Sequence, residues 1–238
     1  MERLDKVLSN LGAGSRKEVK IMVKRGLVKV DGQRALDSGM QVDPEKADIE
    51  VDGKILSYRK YVYLMMNKPG GVVSATFDNY DETVIDLLDD EHKIFEPFPV
   101  GRLDKDTVGL LLITNDGDMN HRLIAPKWHV DKVYYAEINR PVNDEDIKKF
   151  KEGVVLEDGY KCMSAKLEIL AADENGSEVY VTVQEGKFHQ VKRMFKSVGK
   201  EVVYLKRVSF GPIKLDEGLP EGEYRELTGE EIEILRAI

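Results

Sequence analysis

The chain has 238 residues and a mass of 27.0 kDa. At 42% hydrophobic and 34% charged it has the composition of a soluble globular protein, and its longest apolar run, around Leu110–Ile113, is far too short to cross a bilayer. One cysteine, Cys162, and four scattered histidines exclude an internal disulfide framework and a multi-cysteine zinc site, while a formal net charge of −8 argues, at face value, against a polyanionic partner.

The first elements in chain order are two short helices. Leu4, Val7, Leu8 and Leu11 repeat at helical spacing and stop at Gly12. Ser15-Arg16-Lys17-Glu18 is a capping-box pattern opening a second helix, with Val19, Met22 and Val23 on one face and Gly26 at its end. Lys17, Lys20 and Lys24 share another face, flanked by Arg16 and Arg25. Leu27–Val30, the Asp31-Gly32 turn and the alternating 48–51 stretch predict a short β-ribbon. Residues 1–30 carry eight Lys/Arg against three Asp/Glu, so the acidic total hides a basic segment. A second one, 187–207, has seven against one, and the compensating acid lies in 78–96 and 216–233. A polyanion responds to potential within a Debye length of roughly 8 Å, so both basic windows are compatible with nucleic acid or with ordinary solvated faces.

From Arg3-Leu4-Asp5-Lys6-Val7-Leu8 through Ser15-Arg16 to Gly26–Gly32, this segment resembles an S4 RNA-binding domain. The resemblance implies RNA contacts from Arg3, Ser15, Arg16, Lys17, Lys20 and Arg25. A domain of residues 1–58 is expected, with Tyr58-Arg59-Lys60 as linker and a larger domain over 59–238.

In the larger part, strands are predicted over 61–66, 110–114, 133–139 and 178–184. Helices are predicted over 143–152, along the Val191, Met194, Phe195 and Val198 stripe, and after the Thr228–Glu231 capping box. Asn67–Gly71 and Asn115-Asp116-Gly117 are turn signals. Strands and helices do not alternate as βαβ units, so the fold class is α+β rather than doubly wound.

Chemistry concentrates in Pro99–Leu110, where Gly101 and Gly109 bracket Arg102, Asp104, Lys105, Asp106 and Thr107 ahead of an apolar strand. An Asp-stabilised turn is one reading of it. Asp104–Val108 also fits the D-x-D-x-[TV] string of a haloacid-dehalogenase-type phosphatase, which calls for a hydrophobic strand in front. Asp104 and Asp106, if on one strand, would share a face as glycosidase carboxylates.

A third reading takes in more of the chain. Gly101-Arg102-Leu103-Asp104 with Thr107 and Gly109–Gly117 resembles the signature of the RsuA/RluA-type pseudouridine synthases. Asn67–Ser74, Lys132-Val133-Tyr134, Glu185–Phe195 and Leu205-Lys206-Arg207 follow that family's motif order. The resemblance implies a catalytic domain built on a mixed, mainly antiparallel sheet with flanking helices. It implies isomerisation of a uridine in RNA to pseudouridine, with no cofactor and no metal. Asp104 would be the catalytic carboxylate, as nucleophile or proton acceptor, and Tyr134 would stack on the target base and help remove its C5 proton. Lys192 would pair with the aspartate and orient it, although Arg193 is its neighbour. Leu205 would wall the base pocket, and Arg102 would help displace the nucleotide from its stack. Lys187, His189, Gln190 and Arg193 are expected at the RNA, with bracing of their helix as the other reading of His189 and Gln190.

Ala125–Lys132 and Leu219–Thr228, and the lack of a basic tail, resemble the branch acting on small-subunit (16S) rRNA. The expected partner is therefore 16S rRNA, free or within an assembling small subunit. A 23S rRNA uridine, or a non-catalytic S4-type RNA-binding or assembly protein, is the alternative. A charged first segment without a signal-peptide pattern makes the expected location cytoplasmic, and no motif requires more than a monomer.

Overall fold

A computed structural model describes every residue except Glu45, Ser57 and Tyr58. It divides into two compact units, one of Met1–Val62 with Asp89–Pro97 and one of Tyr63–Leu88 with Phe98–Ile238. The expected boundary after Tyr58 falls outside the described residues, and the assignment of Asp89–Pro97 to the first unit is not visible when the chain is read in order.

The first unit contains strand β1 (Glu2–Arg3), helices α1 (Leu4–Asn10) and α2 (Arg16–Arg25), and strands β2 (Val28–Val30), β3 (Gln33–Arg34), β4 (Gln41–Val42), β5 (Ile49–Val51) and β6 (Lys54–Leu56). Helix α2 starts where the capping box predicts. Ser15 Oγ accepts from the Glu18 amide, Glu18 Oε2 accepts from the Ser15 amide at 2.7 Å, and Gly26 closes the helix with φ 77°. Leu4, Val7, Leu8, Val19, Val23 and Ile49 form its core. The Asp31-Gly32 pair has positive φ at both positions, the turn a two-residue hairpin between β2 and β3 demands. A one-turn helix, α3 (Asp90–Lys93), completes the unit.

The second unit is built on a mixed sheet. Its strands are β7 (Tyr63–Lys68), β8 (Phe98–Pro99), β9 (Val108–Thr114), β10 (Lys132–Ile138), β11 (Lys166–Ala172), β12 (Ser177–Val183), β13 (Val202–Phe210), β14 (Ile213–Lys214) and β15 (Tyr224–Glu226). Among the described residues the main order is β11-β12-β10-β13-β9-β7-β15. All pairings are antiparallel except β13 with β9, which are joined in parallel through Lys206↔Val108 and Arg207↔Gly109. Every residue of β9 is buried, as expected of a central strand with a continuous apolar run. In β12, Val179, Val181 and Val183 face the core beneath helices α5 (Asp144–Glu152) and α6 (Gln190–Ser197), where the Phe150 and Phe195 rings meet at 4.9 Å. A second cluster joins Leu64, Met66, Leu103, Leu111 and Ile113.

Two turn assignments change. Asn67 and Lys68 are the last residues of β7, paired with Leu110 and Gly109, and both are buried. Asp116 caps a helix, α4 (Gly117–Ile124), by accepting from the Met119 amide at 3.0 Å, so the Asn-Asp-Gly signal is a helix start. Strands β11, β13 and β15 are not among the predicted strands. The last helix, α7 (Gly229–Arg236), begins at the Thr228 capping box as predicted.

Gly109 makes the parallel contact possible. Its φ is +97°, and a Cβ there would sit 2.4 Å from the Arg207 carbonyl oxygen. We expect Gly109→Ala to cost about 2 kcal/mol or more, from strain plus displacement of β13. Gly71→Ala, at φ +85° with open space around it, is expected to cost about 1 kcal/mol from strain alone. Urea unfolding distinguishes the two, and equal losses would refute the close-approach argument.

Candidate active site

The loop between Gly101 and Val108 is fastened from three sides. Leu103 is buried, and its amide and carbonyl both bond Ser74 Oγ, at 3.2 and 3.0 Å. The Gly71 amide donates to the Lys105 carbonyl at 2.8 Å. Lys68, fully buried, donates through Nζ to the carbonyls of Pro69, Lys105 and Thr107 at 2.8, 3.2 and 3.0 Å. Three acceptors match the three donors of an ammonium group. Burial pushes the Lys68 amine down to about 8, with the carboxylates of Asp106 and Asp104 pulling the other way. The result is a rigid loop that presents the Asp104 side chain, 23% exposed, at the edge of the sheet.

Helix α6 supplies the groups facing that carboxylate. Lys192 Nζ lies 3.3 Å from Asp104 Oδ2 and 2.5 Å from Asp106 Oδ1, so one ammonium serves two carboxylates. The hydrogen bond from Lys192 holds Asp106 below the usual carboxylate range. His189 Nε2 lies 3.6 Å from Asp104 Oδ1. Arg193 points elsewhere, to Asp158 and the Phe188 carbonyl, so Lys192 is the aspartate's partner. The preceding segment is braced by Glu185, whose buried carboxylate accepts from Tyr160 Oη, the Met163 amide and Gln190 Nε2 at 2.7–2.8 Å. Gln190 in turn accepts from the Lys187 amide at 2.9 Å and is 5% exposed, so it holds the helix start in place.

Strands β10 and β13 form the wall. Tyr134 is half-buried and packs against both core clusters. Leu205 is 5% exposed. Across from Tyr134 in register is Arg207, buried, with Nε donating to the Leu110 carbonyl at 2.7 Å and Nη2 left without a partner. Burial pushes the Arg207 guanidinium below its ordinary range, and the Tyr134 phenol pulls it back. Asp104, Tyr134, Leu205, His189 and the exposed Arg102 line one small cleft that is open to solvent.

The structure thus brings together Arg102, Asp104, Tyr134, Lys187, His189, Gln190, Lys192 and Leu205, while Arg193 lies one helix position away from this cluster. In the first unit, Arg16, Lys17, Lys20 and Arg25 are exposed along α2. Ser15 is used as the helix cap, and the Arg3 guanidinium forks onto Asp5 at 3.0 and 2.6 Å. Sequence reasoning left Lys68, Ser74, Glu185 and Arg207 without roles. Their signal was membership of the quoted motifs, since polar residues inside a core break hydrophobic periodicity.

Two competing readings lose their premises. Asp104–Val108 runs into strand β9 instead of following a strand, contrary to the phosphatase arrangement. Asp104 and Asp106 lie in a turn, not on a strand face, and Asp106 is 76% exposed while sharing its ammonium with Asp104. Among the described residues, Asp89, Glu91 and His92 bring ligand-type atoms within 4.8 Å of one another, but they belong to the first unit and not to the cleft.

Comparison with known proteins gives the same outline. Residues 62–197 match the family model described as RNA pseudouridylate synthase, and residues 2–47 match the S4 domain. An uncharacterized RNA pseudouridine synthase of Bacillus subtilis (strain 168) is 54% identical, covering 98% of each chain. The ribosomal small subunit pseudouridine synthase A of Vibrio vulnificus is 41% identical over 97% of this chain and 98% of its own. The ribosomal large subunit pseudouridine synthase B of Bacillus subtilis is 38% identical over 100% and 97%. A crystal structure of a pseudouridylate synthase, 36% identical, superposes with a TM-score of 0.68 over 99% of this chain and 100% of that one.

The buried ammonium of Lys68 has a pH signature. With a folded value of about 8 against an ordinary 10.5, the unfolded chain holds the proton between those limits and the folded chain does not. Stability therefore rises with pH across that window, by an amount on the order of 3 kcal/mol from this group. We expect the difference in unfolding free energy between wild type and Lys68→Met to shift by this amount in favour of wild type from below pH 8 to pH 10.5. A difference that stays flat in denaturant titrations across that window would overturn it.

Proposed function

This chain belongs to the RNA pseudouridylate synthase family, and we propose that it isomerises a uridine of 16S rRNA with Asp104 as the catalytic carboxylate. The reaction breaks the N1–C1′ bond, re-forms the link through C5, and moves the C5 proton away while N1 regains one. No group is added or lost, so the site must bind, orient and move protons. The observation carrying the assignment is a half-buried carboxylate on a fastened loop, 3.3 Å from a single ammonium, in a cleft walled by Tyr134 and Leu205. Asp104 faces the ribose and acts as nucleophile or proton acceptor there. Lys192 fixes its orientation. Tyr134 covers the uracil and takes part in removing the C5 proton, and Leu205 closes the apolar side. Arg102, exposed at the mouth, takes the place of the extruded nucleotide, which must leave its stack before its C1′ is accessible.

The 16S assignment rests on the segments Ala125–Lys132 and Leu219–Thr228 and on relatives named for the small subunit. The 23S alternative rests on a relative of similar identity named for the large subunit. No described helix is long and apolar enough to cross a membrane, and we place the reaction in the cytoplasm, with a monomer acting on free rRNA or an assembling small subunit. The exposed basic face of α2, with Arg16, Lys17, Lys20 and Arg25, tracks phosphates.

Tritium release from C5-labelled uridine in 16S and 23S transcripts tests both parts. Release is expected from the 16S transcript, and Asp104→Asn is expected to reduce it by on the order of 10³-fold or more while RNA binding persists. Unchanged turnover in Asp104→Asn would overturn the mechanism. Release from 23S alone would move the substrate, and binding without turnover on either would favour the non-catalytic reading. For the S4 domain, replacing Lys17, Lys20 and Lys24 together by Ala is expected to lower the slope of log affinity against log salt by about 2–3. An unchanged slope would show that this face is merely solvated.

A further inference from the structure

Just outside the cleft, Phe188 is 72% exposed, unusual for a large aromatic side chain with an apolar core close by. Its ring lies on His189, with centroids 3.7 Å apart and planes 20° from parallel, and His189 in turn approaches Asp104 at 3.6 Å. His189 adopts φ 49°, the left-handed region, which a non-glycine residue occupies at a cost. That backbone turn sits directly between Phe188 and the start of α6. Lys187 and His189 line the cleft but Phe188 does not, so the ring borders the site without entering it. One ring face is covered by imidazole. Lys192 and Arg193 are held by Asp104, Asp106 and Asp158, and Lys187, at the cleft, supplies positive charge beside the ring.

We propose that Phe188 is a stacking platform for the nucleobase next to the target uridine, holding the flanking nucleotide while the uridine enters the Asp104 cleft. The inference rests on that cleft taking the target uridine. A planar, uncharged base is the partner that fits an open aromatic face at the border of a cleft with a lysine at its edge. Every base has such a face, so the contact contributes affinity and placement and little base identity. Phe188 is a positioning residue here. It touches neither the reacting carbon nor the carboxylate.

The test uses the full chain and short single-stranded RNAs with one central uridine, carrying 2-aminopurine or an abasic residue on the 5′ or the 3′ side. Wild type is expected to quench 2-aminopurine on one side, Phe188→Tyr to keep the quench, and Phe188→Leu to lose it. Dissociation constants should rise roughly 5- to 100-fold in Phe188→Leu with the intact RNA. With the RNA abasic on the quenched side, wild type and Phe188→Leu should bind alike. A purely structural role would weaken both RNAs by the same factor, and that result, or equal quenching in the three proteins, overturns the proposal. Tritium release by the wild-type chain reports separately on the Asp104 reading, so the failure of one is distinguishable from the failure of the other.

Discussion

A lysine ammonium buried without a carboxylate hydrogen-bonded to it organises the catalytic half of this molecule. Lys68 is the last residue of β7, and its three protons go to three backbone carbonyls on two separate stretches of chain. Carbonyl oxygens are acceptors that cannot be titrated away, and each is fixed by its own peptide plane. The loop 103–107 therefore has little freedom to rearrange when a polyanion arrives. Ser74 and Gly71 add bonds to the same loop, so three residues of the Asn67–Ser74 segment fasten the loop that carries Asp104. A solvated salt bridge would have done this less well, because surface ion pairs contribute little and weaken with salt.

The site's electrostatics follow from unequal sharing. Lys192 faces both Asp104 and Asp106, and only Asp104 is sheltered in the cleft. Asp106, mostly exposed, is the outer carboxylate of the pair, and its bond to Lys192 keeps the ammonium anchored on the solvent side. The neighbouring Arg193 is diverted to Asp158, which prevents a second cation from crowding the aspartate. Glu185, with three donors on its carboxylate, is satisfied internally and is a brace for α6. Three acidic groups close together thus have three different jobs, set by exposure and by partners.

Much of this was legible in the sequence. Local signals with a mechanism behind them, the capping boxes at Ser15 and Thr228, the Asp31-Gly32 hairpin and the α6 stripe, fold as written because the interactions involved span only a few residues. The cluster of Asp104, Tyr134, Lys192 and Leu205 was readable only through family motifs, since nothing in spacing brings residues 104 and 192 together. What escaped was the polar interior. Lys68 looks like part of a Pro-Gly turn because lysines are seldom buried, and Asp116 looks like a turn because an N-cap and a turn use the same residue types. Net charge was also the wrong scale, since −8 averages over basic segments that hold the α2 face and the α6 site.

Among the described residues the sheet has one parallel join. Its antiparallel part, β11-β12-β10-β13, carries Tyr134 and Leu205, and its other part, β9-β7-β15, carries the Asp104 loop; the two meet through the parallel pairing of Lys206 with Val108 and Arg207 with Gly109. The cleft opens over that join. Tyr134 and Leu205 on one part and the Asp104 loop on the other are therefore held in register across these two residue pairs. Gly109, by letting the two backbones nearly touch, sets how close the carboxylate-bearing edge lies to the Tyr134–Leu205 wall.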